Sequence, residues 1–221
     1  KIPKGDKMVE PLRIGITHVH HFYTKRNCYI VSCFLNKINF VNKRLQNFLR
    51  CVLQSFLFHL SRLNRKVPGG IGRHLVGTLF IPSLNCEVSF FQMIERKLSD
   101  FYSAVILNQN VFKILITLQS STNLPNIPSN SIDYIFTDPP FGSNLMYSEL
   151  NFIWEAWLKV FTNNKSEAVI NKTQRKGLYE YQVLMEKCFS ENYRILKPGR
   201  WMTVEFHNSK NSIWNAIQEA I

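Results

Sequence analysis

Apolar residues recur every three to four positions in two stretches of the N-terminal half. From Tyr23 onward, Tyr29, Ile30, Cys33, Phe34 and Ile38 predict a helix. Leu45, Phe48, Leu49, Val52, Leu53, Phe56, Leu57, Leu60 and Leu63 predict a second with a stronger stripe, flanked by Lys43, Arg44, Arg50 and Arg62. A membrane-surface helix has the same basic amphipathic character, but an apolar face turned to a core with the cations outward suits this chain better. Residues 1–22, punctuated by Pro3, Gly5, Pro11 and Gly15, read as an irregular entry. Residues 67–73 (VPGGIGR) read as a flexible loop, and 76–81 as a short extended piece ended by Pro82. A third helix is predicted over 87–107 from Val88, Phe91, Ile94, Leu98, Phe101 and Val105.

From residue 111 the rhythm changes. Short apolar runs at 111–118 (VFKILITL), 131–137 (SIDYIFT) and 201–206 (WMTVEF) predict buried strands. Helical patterns fill 148–161 and 178–194, the second stopped by Lys197-Pro198-Gly199, and another helix begins at 213. Strands separated by long crossovers predict an α/β fold with a parallel sheet. The division expected is a basic, mainly helical region over 1–110 and an α/β region over 111–221.

With 45% hydrophobic and 13% aromatic residues, the chain can bury a core, which excludes intrinsic disorder. No apolar run reaches the ~18–20 residues that cross a bilayer, and no signal peptide is visible. Charge changes the picture through its distribution. Residues 1–130 hold 17 Lys and Arg against 5 Asp and Glu, whereas 131–221 hold 10 of each. Between Glu10 and Glu87 there is no acidic residue at all. So long a one-signed run implies a polyanionic partner, nucleic acid ahead of an acidic protein or a membrane surface. Lys43, Arg44, Arg50, Arg62, Arg65, Lys66 and Arg73 are the candidate phosphate contacts. The five cysteines form no C-x-x-C pair and read as free thiols in a reducing cytoplasm. His18, His20 and His21 are the one metal-like grouping. Without a carboxylate or thiolate nearby they read as structural or phosphate-facing, so no metal is expected.

The segment with chemistry follows the strand at 131–137: Asp138-Pro139-Pro140-Phe141-Gly142. Ligands of open α/β sheets bind beyond the carboxyl ends of strands. Two prolines, each without an N–H, make the segment stiff and donor-poor, so it offers the Asp138 carboxylate and backbone carbonyls. Such an acceptor-only site suits an amino group with N–H donors. Phe141 adds a flat face for stacking, and Gly142 permits close backbone approach. A tight prolyl turn without function is the alternative reading of the same residues.

FTDPPFG after an apolar strand resembles the [DNS]-P-P-[YFW] motif of S-adenosylmethionine-dependent amino-methyltransferases. LITLQSSTNLPNIPSNSIDYI resembles the cofactor-side loop that precedes their catalytic strand, and YRILKPGRWMTVEF the helix, turn and strand that follow. The wording TDPPFGSNLMYSELNFIWEAWL, with HHFYTKRN near the start, is most similar to bacterial DNA methylases of the adenine-N6 or cytosine-N4 type, the kind that serves restriction-modification. The resemblance implies a Rossmann-like methyltransferase sheet, with Asp138, Pro139, Pro140 and Phe141 at the reacting amine. It implies S-adenosylmethionine as cofactor, with Thr24, Ser120, Thr122, Asn123, Leu124 and Gly142 on its side. The implied location is the bacterial cytoplasm.

Two departures bear on this. Ser120 stands where many relatives carry Asp, and no F-x-G-x-G glycine turn occurs. The glycine loop is therefore expected upstream of Lys1 or on a partner subunit, leaving this chain with part of a cofactor pocket. The alternatives to a DNA methyltransferase region are an RNA (tRNA) amino-methyltransferase and a non-catalytic nucleic-acid-binding subunit. Trp154, Trp157 and Phe161 read as core, Asn144 and Tyr147 as possible substrate contacts, and His207-Asn208 as a site edge.

Overall fold

In the computed structural model, which describes residues 1–107 and 114–221, the chain is mixed α/β. The described residues contain two two-stranded sheets and form two units. Unit 1 is Lys1–Ile114 with Leu150–Phe161; unit 2 is Leu115–Glu149 with Thr162–Ile221.

In unit 1, a short helix α1 (Val9–Arg13) and a 3-10 turn lead into α2 (Lys25–Ile38). Thr24 starts α2, its hydroxyl accepting from the Asn27 N–H at 3.1 Å. Asn42 starts α3 (Lys43–Leu57) in the same way, accepting from Leu45 N–H at 3.0 Å. The stripe of α3 turns inward as its spacing predicts: Val52, Leu53, Phe56 and Leu57 are buried with Phe22, Val31 and Leu63. Helix α4 (Phe90–Leu107) adds Phe90, whose ring meets Phe34 and Phe56 edge-on at 5.3 and 5.6 Å. Asn27 is buried among them, and its amide donates to the Leu60 and Val88 carbonyls at 3.0 Å each. One satisfied buried amide thereby ties α2 to two distant segments.

The stretch expected to be a flexible loop is instead a hairpin. Strands β1 (Arg65–Val67) and β2 (Gly70–Gly72) pair antiparallel across Pro68-Gly69. Proline at the first turn position and Gly69 at φ 85° supply the backbone this tight reversal needs. Residues 76–81 form no strand. Helix α5 (Tyr147–Leu158) gives its first three residues to unit 2 and the rest to unit 1. There Trp154 stacks on Phe58 at 4.9 Å and donates to the Gln54 carbonyl, while Trp157 stands edge-on to Tyr23. Phe161, expected in the core, is 67% exposed, because α5 has ended before it.

Unit 2 is built on β3 (Ile132–Thr137), α6 (Leu178–Ile195), β4 (Leu196–Val204) and α7 (Asn211–Ala220). β3 and β4 pair in parallel, as the long crossover requires. The ladder runs from Tyr134 opposite Trp201 to Thr137 opposite Val204, with a register shift after Ile132 opposite Leu196. Lys197-Pro198-Gly199 falls in that shift. Helix α6 stops at Ile195, and the Lys-Pro-Gly turn is an irregularity inside β4 rather than the stop itself. The shift sets Lys197 and Arg200 around Asp133, at 2.9 and 3.3 Å. Tyr181, Met185 and Phe189 of α6 and Ile213 and Ile217 of α7 make the core, with Met202, Val204 and Phe206 packed against it. Tyr134, Phe136 and Trp201 are exposed.

Of the strand expected at 111–118, residues 111–113 lie outside the described residues. Residues 114–118 are irregular, with Leu115, Ile116 and Leu118 exposed. An apolar run becomes a strand only where a neighbour takes its backbone hydrogen bonds. No helix of the described residues is long and apolar enough to cross a membrane.

A polar clamp at the end of α6 holds the chain before β3. Arg194 pairs with Glu191 at 2.9 Å and donates to the Leu124 and Ile127 carbonyls, while Glu191 accepts from the Leu124 N–H at 2.8 Å. Arg194 first, then that backbone N–H, hold the Glu191 carboxyl down to about 2. A carboxyl lowered on folding contributes stability that is present above its unfolded value of about 4.3 and is lost as pH falls through the folded one. Glu191→Gln should therefore melt below the unsubstituted chain above about pH 5, with the gap closing toward pH 2. Thermal melts across that range would show it; a gap independent of pH would contradict it.

Candidate functional site

The Asp138–Gly142 loop leaves β3 at its carboxyl end, and three successive carbonyls in it are held by three separate segments. The Tyr181 hydroxyl of α6 donates to the Pro140 carbonyl at 2.6 Å. The Asn208 amide, from the turn after β4, donates to the Phe141 carbonyl at 2.9 Å. The Ile170 N–H donates to the Gly142 carbonyl at 3.2 Å. Tyr181 is fully buried, and burial pushes its hydroxyl pKa well up, so it stays a donor. Asn208 is itself fixed: its side-chain oxygen accepts from Lys210 N–H, and its carbonyl accepts from Trp214 Nε1 at 2.7 Å. Gly142 has φ +71°, and a Cβ there would stand 2.8 Å from Ile213 Cδ1.

With Pro140, Phe141 and Gly142 so engaged and Pro139 buried, Asp138 is the exposed functional group of the loop. A cavity of about 290 Å³ adjoins it, lined by Ser121, Thr137, Asp138 and Pro140 on one side and Met185 and Phe189 of α6 on the other. The Phe141 ring is half-buried and edge-on to Phe206 at 5.3 Å, which is edge-on in turn to Trp214. Tyr147 is partly exposed, and its hydroxyl pKa is raised by burial first and then by the Asp138 and Glu167 carboxylates. Glu167 accepts from the Ser148 N–H at 2.9 Å and its hydroxyl at 2.6 Å, anchoring the start of α5.

The residues expected on the cofactor side divide. Ser120 and Thr122 hydrogen-bond each other at 2.9 Å, and Leu124 is buried under the Glu191–Arg194 clamp with Asn123 exposed beside it. This segment sends Ser121 to the same cavity as Asp138. Thr24 lies in unit 1, where its hydroxyl is engaged as the cap of α2 and as donor to Glu87 at 2.6 Å. Gly142 has a packing reason of its own against α7. Tyr181 and Asn208 hold the loop, yet spacing marked Tyr181 only as one position of a helical stripe and Asn208 only as a site edge. No local pattern marks a donor that acts across 41 or 67 residues.

Lys43, Arg44, Arg65, Lys66 and Arg73 are exposed on unit 1. Arg50 and Arg62 are half-buried, donating to Asn39 Oδ1 at 3.1 Å and the His21 carbonyl at 3.4 Å. Lys43 and Arg44 occupy the first turn of α3, which has no acidic residue, and like charge at that end of a helix dipole costs about 0.3–1 kcal/mol each. Among the described residues no group of His, Cys, Asp or Glu is arranged to hold a metal ion. Comparison with protein-family models, curated proteins and solved structures finds no match.

Gly142→Ala should destabilise the fold by about 1–3 kcal/mol, since the left-handed backbone and the Ile213 contact both oppose a side chain. Urea unfolding followed by tryptophan fluorescence would measure it; an unchanged midpoint would mean the loop relaxes freely.

Proposed function

We propose that this chain is the catalytic region of an S-adenosylmethionine-dependent methyltransferase acting on the exocyclic amine of adenine or cytosine in DNA. One observation carries the reading: a donor-poor D-P-P-F loop, its later carbonyls immobilised, presents Asp138 beside a cavity at the carboxyl end of a parallel strand. In this reading β3 and β4 are two strands of a Rossmann-like methyltransferase sheet.

The cavity is a partial fit for the cofactor. Its polar Ser121 and Thr137 and apolar α6 wall suit a nucleoside face, but about 290 Å³ lies at the foot of the ~300–1,000 Å³ range of ligand pockets. Ser121 and Thr137 would hold it, and when bound it supplies a methyl group on a sulfonium. The chain's own work is on the amine. Asp138 would accept one amine N–H and so orient the nitrogen lone pair. As nitrogen took the methyl group, the carbon–sulfonium bond would break to leave a neutral thioether and the amine would give up one proton to solvent, with the fixed loop avoiding reorganisation. The exposed part of Phe141 stacks on a base extruded from the helix, since the amine inside a duplex is out of reach. Tyr147, kept protonated by its burial and the neighbouring carboxylates, adds a donor at the rim. The exposed cations of unit 1 grip the phosphate backbone.

Asp138→Ala should lower methyl transfer from labelled S-adenosylmethionine by at least about 10²-fold with the melting temperature unchanged. Duplex DNA and transfer RNA compared as acceptors assign the substrate. Transfer that survives the substitution would remove Asp138 from the chemistry.

A further inference from the structure

A second cavity, of about 480 Å³, lies wholly in unit 1, between a 3-10 turn (Phe58–Leu60) that follows α3, the segment leaving β2, and α4. Three permanent cations reach it from two of these elements: Arg73 beyond β2, and Arg96 and Lys97 of α4. Two imidazoles complete the wall, His59 from the 3-10 turn and His74 beside Arg73, with ring centres 6.0 Å apart. None of the described residues lining the cavity is acidic. Lys97 has a carboxylate partner, Asp100 at 3.0 Å, whereas Arg73 and Arg96 form no ion pair among the described residues. The His74 ring is braced edge-on against Phe58 at 4.2 Å, and its Nδ1 atom is buried with no hydrogen-bond partner.

Gathering like charges around a concavity is unfavourable unless an anion occupies it. Water could solvate the exposed guanidinium groups equally well on a convex surface. A buried imidazole nitrogen without a hydrogen-bond partner, in the same cavity wall as the Arg73 and Arg96 guanidinium groups, is suited to a polar ligand. Guanidinium groups match the tetrahedral oxygens of phosphate with paired, charge-assisted hydrogen bonds, and a lysine adds a point charge.

We propose that this cavity is a phosphate-binding site, held by Arg73, Arg96 and Lys97 with His59 and His74 as titratable partners. The positive charge felt by both imidazoles accords with an anion site. Burial, followed by Lys97, Arg73 and Arg96, lowers the His59 pKa; burial, followed by His59 and Arg73, lowers that of His74. A bound phosphate reverses the cation contributions, so both imidazoles gain proton affinity when it is present. The site requires nothing of the methyl-transfer chemistry in unit 2, so the two readings fail separately: one by loss of phosphate binding, the other by retained transfer without Asp138.

The test uses the full chain, inorganic phosphate as probe, and NMR titration of the histidine ring protons. Phosphate should bind saturably and move the His59 and His74 titration midpoints upward. Arg73→Gln and Arg96→Gln should each weaken it by about tenfold, the value of one charge-assisted contact. Arg13→Gln, an equal charge change outside the cavity, should not. Midpoints indifferent to phosphate, or equal affinity in all three variants, would overturn the proposal. Duplex DNA without terminal phosphates distinguishes the sources. Competition with inorganic phosphate assigns the site to a nucleic-acid backbone, and its absence to a small phosphate compound.

Discussion

Three consecutive backbone carbonyls, those of Pro140, Phe141 and Gly142, each accept one hydrogen bond from a different part of unit 2, and the geometry of that unit follows from them. Pro139 and Pro140 have no N–H to donate, so the loop is poor in donors of its own. It has to be held by its acceptors, and the donors must come from elsewhere: Tyr181 in α6, Asn208 after β4, and the Ile170 backbone. Those donors are in turn immobile, Tyr181 by burial in the α6–α7 core and Asn208 by its bonds with Lys210 and Trp214. With the later carbonyls occupied, the Asp138 carboxylate is the acceptor left to solvent. Rigidity and selectivity of the site have the same origin.

The packing against Ile213 explains why α7 belongs to this arrangement. The loop turns at Gly142 with no room for a side chain, so the helix seats directly on the backbone. The clamp of Glu191 and Arg194 plays the corresponding part on the other flank, carrying residues 120–127 along α6 until Ser121 shares the cavity with Asp138. One flank thus meets the loop at Gly142 and the other brings Ser121 to the cavity, both by contacts far apart in sequence.

Charge is apportioned between the two units with no intermediate case. Unit 1 contains 18 basic and 6 acidic side chains, unit 2 nine of each. In unit 1 the excess is maintained against local cost, with cations at the start of α3 and around a cavity that has two half-buried imidazoles. Unit 2 uses its charges internally, as in the pairs around Asp133 and Arg194.

Sequence alone determined what short-range physics controls. Helices α2, α3 and α4 of unit 1 appear where the apolar spacing puts them, α2 and α3 started by Thr24 and Asn42, whereas α1 lies in a stretch read as irregular. The strand that ends in D-P-P-F lies where its apolar run predicts, with two prolines closing it and β4 pairing it, and the charge imbalance is a matter of counting. Phe161 and residues 114–118 show the limit: an apolar residue is buried only if another element comes to cover it, and periodicity is silent about that. The hairpin at 65–72 was hidden for the opposite reason, since Pro-Gly-Gly marks a turn but not the pairing on either side. Only the tertiary structure decided which donors lock the Asp138–Gly142 loop, that the Thr24 hydroxyl donates to Glu87, and that His59, His74, Arg73 and Arg96 share one cavity. Each of these depends on backbone groups or charges brought together across tens of residues, and no local pattern of side chains encodes such a meeting.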